Sequence, residues 1–211
     1  MKKLYLILIF WVLLSSCVKN EGVADYRNGD IIFQTSISRQ SVAIQIATKS
    51  EYSHMGIIYI NEDGEVLVFE AVQPVKFTPV DEWIKRGKEG RYVLKRLKDS
   101  QSILTADALA KMVETGTEFI GKDYDKYFNW SDKEIYCSEL VWKIYKRALG
   151  VEIGKLARLG DFDLSSEVVQ EKMHERYSDG IPYDEQVISP GEMFNSEKLV
   201  MVKTNIPGFG L

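Results

Sequence analysis

The stretch SHMGIIYINEDGEVLVFEAV, residues 53–72, decides how this chain folds. Two runs rich in branched and aromatic residues flank NEDG at 61–64, and that pairing reads as a β-hairpin. NEDG suits a three-residue loop of Glu62, Asp63 and Gly64, with Gly64 in the left-handed region. Asn61 then pairs with Glu65, Gly56 stands opposite Glu70, and His54 stands opposite Val72. Strand side chains alternate with a period of two, so His54, Gly56, Glu70 and Val72 share one face. His54 and Glu70 become diagonal neighbours, roughly 7–8 Å apart at the backbone and within side-chain reach. A two-residue turn would put them on opposite faces, so the loop type carries the inference.

Both residues are out of character for their runs. Glu70 lies in VLVFEAV, a segment suited to burial, and a buried carboxylate needs a partner. A histidine ring can be that partner, and the carboxylate then fixes the ring's tautomer. The chain has only two histidines. The other, His174, sits among charges in EKMHERYSDG and reads as a solvated surface residue. Cys137 opens the helical segment YCSELVWKIYKRALG, 136–150, with Leu140, Val141 and Ile144 on its apolar face. Unpaired N–H groups and the dipole at a helix N-terminus stabilise a thiolate. A nearby imidazole makes such a cysteine a strong nucleophile. Spacing alone leaves open whether His54 and Cys137 meet or whether Cys137 is a structural thiol.

Outward from the hairpin, GDIIFQTS (29–36) reads as a strand and SRQSVAIQIATKS (38–50) as a short helix. That helix has Val42, Ile46 and Lys49 at helical spacing and Ser41 as its cap. FTPVDEWIKRG reads as a short helix begun by Pro79 and Asp81 and ended by Gly87. RYVLKRL (91–97) is a strand, TADALAKMVETGTEFIG (105–121) an amphipathic helix and KLVMVKT (198–204) a final strand. Residues 151–197 read as irregular, with one short helix near 165–176. The class is α+β: an antiparallel sheet packed against helices.

Composition agrees with a folded chain: 45% hydrophobic and 27% charged over 211 residues. The formal net charge of −4, without a long basic run, argues against nucleic acid as a partner. The N-terminus is a targeting segment: Lys2 and Lys3, an apolar run from Leu4 to Leu14, then small residues before Cys17. LSSC, residues 14–17, resembles the bacterial lipobox, which implies cleavage before Cys17 and lipid on that residue. The expected organisation is a signal peptide (1–16), a lipidated cysteine and tether (17–27), and one catalytic domain (28–211). Val18 follows the cysteine, so outer-membrane placement facing the periplasm, or the cell surface, is the expectation. Lipidation of Cys17 leaves Cys137 without a partner in the chain. Two distant histidines and one free cysteine make no metal cluster, and no cofactor is expected.

Taken in order, GDIIFQ, YSHMGIIY, VFEAV and YCSELVWKIYK resemble the YaeF/YiiX-like permuted papain-like amidases, relatives of the NlpC-type cell-wall peptidases. The histidine strand precedes the cysteine helix, as in the circularly permuted branch. The resemblance implies a papain-like, NlpC-like α+β fold with Cys137 as nucleophile, His54 as acid and base, and Glu70 as the third member. Tyr136-Cys137-Ser138-Glu139 departs from the Asp-Cys-Ser-Gly favoured by NlpC-type enzymes. Gln34 and Tyr136 are candidates for an oxyanion-binding side chain, and Tyr124, with Asp125, for contact with substrate. The expected activity is cleavage of an amide in a cell-wall peptide. The alternatives are a cysteine acyltransferase or lipid esterase on the same fold, and a non-catalytic binding lipoprotein.

Overall fold

The structure is a computed structural model that describes residues 26–209. The expected signal peptide and the lipidated Cys17 lie outside the described residues. The strands are β1 (Ile31–Gln34), β2 (His54–Ile60), β3 (Val66–Glu70), β4 (Lys76–Pro79), β5 (Val93–Leu97), β6 (Asp123–Tyr124), β7 (Glu134–Ile135), β8 (Ala157–Arg158), β9 (Gln186–Val187) and β10 (Leu199–Thr204). The α-helices are α1 (Arg39–Thr48), α2 (Val80–Lys85), α3 (Ser100–Ile103), α4 (Ala106–Thr117), α5 (Cys137–Leu149), α6 (Glu167–Arg176) and α7 (Pro190–Phe194).

One six-stranded sheet in the order β10-β5-β1-β2-β3-β4 organises the chain, and each neighbouring pair is antiparallel. The β2–β3 ladder runs from Ile60↔Val66 to Ile57↔Phe69, the register the NEDG loop dictates. Gly64 sits at φ +78°, and its N–H donates to the Asn61 carbonyl at 3.0 Å. The loop therefore has three residues, and His54 and Glu70 fall on one face.

The sheet separates two cores. Odd-numbered Met55, Ile57 and Phe69 face α4 and α5, where they pack with Met112, Leu140 and Ile144. Even-numbered Ile58 and Val68 face the other way, against Trp83 of α2, Tyr92 and Tyr26. A third cluster joins α1 to α6 through Ala43, Leu159, Val169, Met173 and Val187.

Four details differ from the reading of the sequence. Tyr26 is buried in the α2-side core and Arg27 donates its N–H to Asp30 at 2.9 Å, so residues 26 and 27, expected in a tether, pack with the folded domain. Ser38, not Ser41, caps α1; its hydroxyl accepts from the Ser41 N–H at 3.2 Å. Val42 and Ile46 point to solvent, because α1 turns Ser41 and Ala43 inward. Strand β4 pairs Lys76–Pro79 with β3, where sequence reasoning saw only the start of a helix. Pro79 is tolerated because β4 is the sheet's edge.

Candidate active site

His54 is the first residue of β2, at the end of the sheet where Gln34 of β1 pairs with it. Its ring lies over the indole of Trp83, with centroids 5.8 Å apart and 24° between planes. Nε2 meets Glu70 Oε2 at 2.6 Å. Cys137 stands close enough to the ring to favour its charged form. With Nε2 committed to Glu70, Nδ1 is the nitrogen left for the thiol. Burial lowers the basicity of His54, but the bonds and charges of Cys137 and Glu70 outweigh it and push its pKa up to about 9.

Glu70 is fully buried at the end of β3. Its Oε1 accepts from the Thr78 hydroxyl of β4 at 2.6 Å and from Arg86 just beyond α2. Burial opposes its charge, yet the bond to His54, with Thr78 and Arg86, holds the carboxyl below its ordinary value of 4.5. Gly56 stands between the two members on the same face. A Cβ there would lie 2.4 Å from Val68 Cγ1 and 3.3 Å from Glu70 Cβ. Thr78 and Arg86 were missed in the sequence. The available signal was the strand KFTP running back beside VLVFE, which lays Thr78 beside Val68 and brings Arg86 behind it.

Cys137 is the first residue of α5, buried at its N-terminus, and among the described residues it is the free cysteine. Its neighbours clasp one segment of backbone. The Ile188 N–H donates to the Tyr136 hydroxyl at 3.1 Å, and the Ser138 hydroxyl donates to the Ile188 carbonyl at 2.8 Å. Tyr136 thus has its hydroxyl on the Ile188 backbone, with its ring edge-on to Phe128. Glu139 is fully buried, and its carboxylate lies 2.7 Å from Lys143 Nζ. Lys143 also reaches Asp132 and the Ser131 carbonyl, so the departure from the NlpC-type motif ties the loop before β7 to α5.

Two adjoining recesses meet at this pair. The first, about 670 Å³ and open to solvent, is lined by Cys137 and by apolar side chains of α1, α6 and the segment around Ile188. The second, about 1090 Å³, is polar and is lined by His54, Gln34 and Arg86. Ile44, Ser53 and Tyr124 line both. Tyr124 is held by Gln40, whose Nε2 donates to its hydroxyl at 3.4 Å. Burial first, and the nearby Cys137 second, push the Tyr124 phenol well above its ordinary pKa. Gln34 is buried with Oε1 unpartnered. Asp125 lines neither recess; it accepts the Tyr127 N–H at 2.7 Å in its own turn. His174 is exposed on α6.

Among the described residues no group of three or more His, Cys, Asp or Glu side chains is arranged to hold a metal ion.

Comparison with known proteins places this geometry in a family. A family model described as "Permuted papain-like amidase enzyme, YaeF/YiiX, C92 family" matches residues 25–203. The uncharacterized protein YiiX of Escherichia coli K12 is 45% identical over 183 residues, which is 87% of this chain and 89% of that protein. The crystal structure of the metalloprotein yiiX from Escherichia coli O157:H7 superposes with a TM-score of 0.82 at 44% identity, covering 87% of this chain and 99% of that one. With the family model matched over most of its length and a relative 45% identical across 87% of it, this chain belongs to the YaeF/YiiX permuted papain-like amidases, a family of cysteine amidases and peptidases.

Proposed function

We propose that the protein is a thiol hydrolase that cleaves an amide through Cys137, His54 and Glu70. One observation carries the reading: the His54 ring is bonded through Nε2 to the buried Glu70 and stands beside Cys137, at the start of α5. The Cys137 sulfur attacks the carbonyl carbon, and the oxyanion forms over the start of α5. His54 gives its proton to the departing amine, leaving a thioester on Cys137. A water molecule then loses a proton to His54 and attacks the thioester, which releases the acid and restores the thiol. Glu70 orients the ring, and Thr78 and Arg86 hold Glu70. Gln34, whose backbone pairs with His54 at the cleft, is the side chain we assign to the oxyanion.

The yiiX relative is described as a metalloprotein, but the donors in this chain do not fit a metal ion. His54 Nε2 is taken by Glu70, and no group of three or more His, Cys, Asp or Glu side chains stands together among the described residues. No step runs through a metal.

For the substrate we propose a peptide of the cell envelope, reached from a lipid anchor on Cys17 in the outer membrane. Palmitate labelling that survives Cys17→Ala would remove the anchor from this proposal. A second reading, an acyl ester or acyl amide with an apolar chain, is favoured by the apolar recess beside Cys137. Wall fragments and envelope lipids are incubated with wild type and with Cys137→Ala, then compared by mass spectrometry. The Cys137→Ala protein is expected to leave both untouched, a loss on the order of 10⁴-fold or more. Full activity in that variant ends the mechanism, and the molecule consumed by wild type alone chooses between the readings.

A further inference from the structure

We propose that the polar recess over His54 receives the leaving-group half of the substrate, and that Lys126 and Arg86 there read a carboxylate on it. The inference deepens the proposed hydrolase and rests on that reading.

The assignment of halves follows from the chemistry. The ring that protonates the departing amine must stand beside it, whereas the acyl carbon stays on Cys137. The recess lined by His54 therefore takes the amine, and the recess lined by Cys137 takes the acyl group. Their linings differ in kind. The Cys137 side is built mainly from aliphatic and aromatic groups such as Ile44, Phe128 and Val169, and its two cations are occupied, Lys172 by Glu175 and Arg176 by the face of Phe128. The His54 side carries Gln34, Gln40, Gln73 and a cluster of serine hydroxyls.

Charge selects the ligand. Two permanent cations, Arg86 and Lys126, line the polar recess, and no acidic side chain lines it. Glu70 lies fully buried beneath, spent on His54, Thr78 and Arg86. Arg86 gives one amino group to Glu70, but its side chain is 44% exposed, so further donors face the opening. Lys126 is exposed, and among the described residues it has no ion-pair partner. The nearest acids along the chain are engaged elsewhere. Asp125 is buried in its own turn, and Asp123 accepts from the Gln73 side chain. A planar carboxylate matches a guanidinium and an ammonium that share one opening. An amide whose leaving amine carries a carboxylate is an acyl amino acid or the last bond of a peptide.

Iodoacetate and iodoacetamide differ only in carboxylate against amide, and both alkylate the thiol. The full chain is treated with each, and modification is read at Cys137 by peptide mass spectrometry, apart from Cys17. The readout is the ratio of the two rates, which cancels any change in thiol reactivity common to both. Wild type is expected to favour iodoacetate relative to a free-cysteine peptide. Lys126→Gln should lower that ratio about threefold and Lys126→Glu about tenfold. A ratio indifferent to Lys126→Glu overturns the inference and leaves the nucleophile standing. Slow reaction with both reagents in wild type would count against the nucleophile, and the ratio would still report the charge over the cleft.

Discussion

Two fully buried carboxylates lie beside His54 and Cys137, and they meet opposite fates. Glu70, under His54, accepts from the Thr78 hydroxyl and the His54 ring, each at 2.6 Å, and from Arg86. It stays ionised below its ordinary pKa. Glu139, two residues beyond Cys137, has Lys143 at 2.7 Å and the Tyr136 N–H at 3.5 Å. Lys143 is divided among Glu139, Asp132 and the Ser131 carbonyl. Burial then outweighs Lys143 and pushes Glu139 up to about 8. Desolvation opposes charge at both sites, so the number and charge of donors decide which carboxylate remains an anion. The hinge of the site is therefore polarised. Charge is welcomed under the histidine and resisted behind the cysteine.

The largest effect comes from removing the welcomed charge. Glu70→Gln keeps the shape but removes the anion, and its one remaining oxygen cannot serve both His54 and the Thr78–Arg86 side. The rate of Cys137-dependent hydrolysis should fall roughly 10²–10⁴-fold. The pH profile separates this from a structural fault. In the proposed mechanism His54 must hold its proton for the amine to leave, so wild-type activity should decline as pH rises through about 9. Loss of the Glu70 charge lowers that pKa, and the alkaline limb should move to lower pH. A limb that stays in place breaks the link between Glu70 and His54.

Next in size is the space that lets Glu70 reach. A Cβ at residue 56 would fall 2.4 Å from Val68 Cγ1 and 2.8 Å from the Phe69 carbonyl oxygen. The ladder holds that backbone, so Gly56→Ala should cost about 1–3 kcal/mol in urea unfolding. An unchanged midpoint would mean that β2 and β3 shift apart freely, and the tight His54–Glu70 geometry would lose its cause.

The same contrast explains what the sequence disclosed. The hairpin half was legible because a period of two and a glycine at φ +78° fix the register, and the register fixes who shares a face. Helix α5 was legible from its apolar spacing, and its end from Gly150, which adopts the left-handed cap. The rest depended on long-range packing. Thr78 and Arg86 reach Glu70 only through an edge strand that local propensity concealed behind Pro79. The apolar recess draws on α1, α6 and the strand before Ile188, segments far apart in the chain. Residues 151–197 read as irregular because the two-residue ladder β8–β9 and the five-residue α7 are too short to leave a periodic signal.

The smallest predicted effect tests the resisted charge. Glu139 keeps its proton in the folded protein up to about pH 8 but loses it near 4.5 when unfolded. Its pKa is raised on folding, so its contribution is fully present below 4.5 and is lost as pH rises toward 8. His54 is also raised, from 6.5 to about 9, and its contribution is fully present below 6.5 and lost as pH rises through 9. The two windows overlap only above 6.5. Between pH 5 and 6.5 Glu139 titrates against the unfolded chain while His54 is protonated in both states. Glu139→Gln should flatten the wild-type decline in Tm across that window, by about 2–4 °C for each kcal/mol removed. Lys143 retains Asp132 in the variant, so the loop before β7 keeps its tie to α5. A slope that survives Glu139→Gln would mean Lys143 neutralises Glu139 as fully as Arg86 and His54 neutralise Glu70, and the contrast between the two carboxylates would vanish.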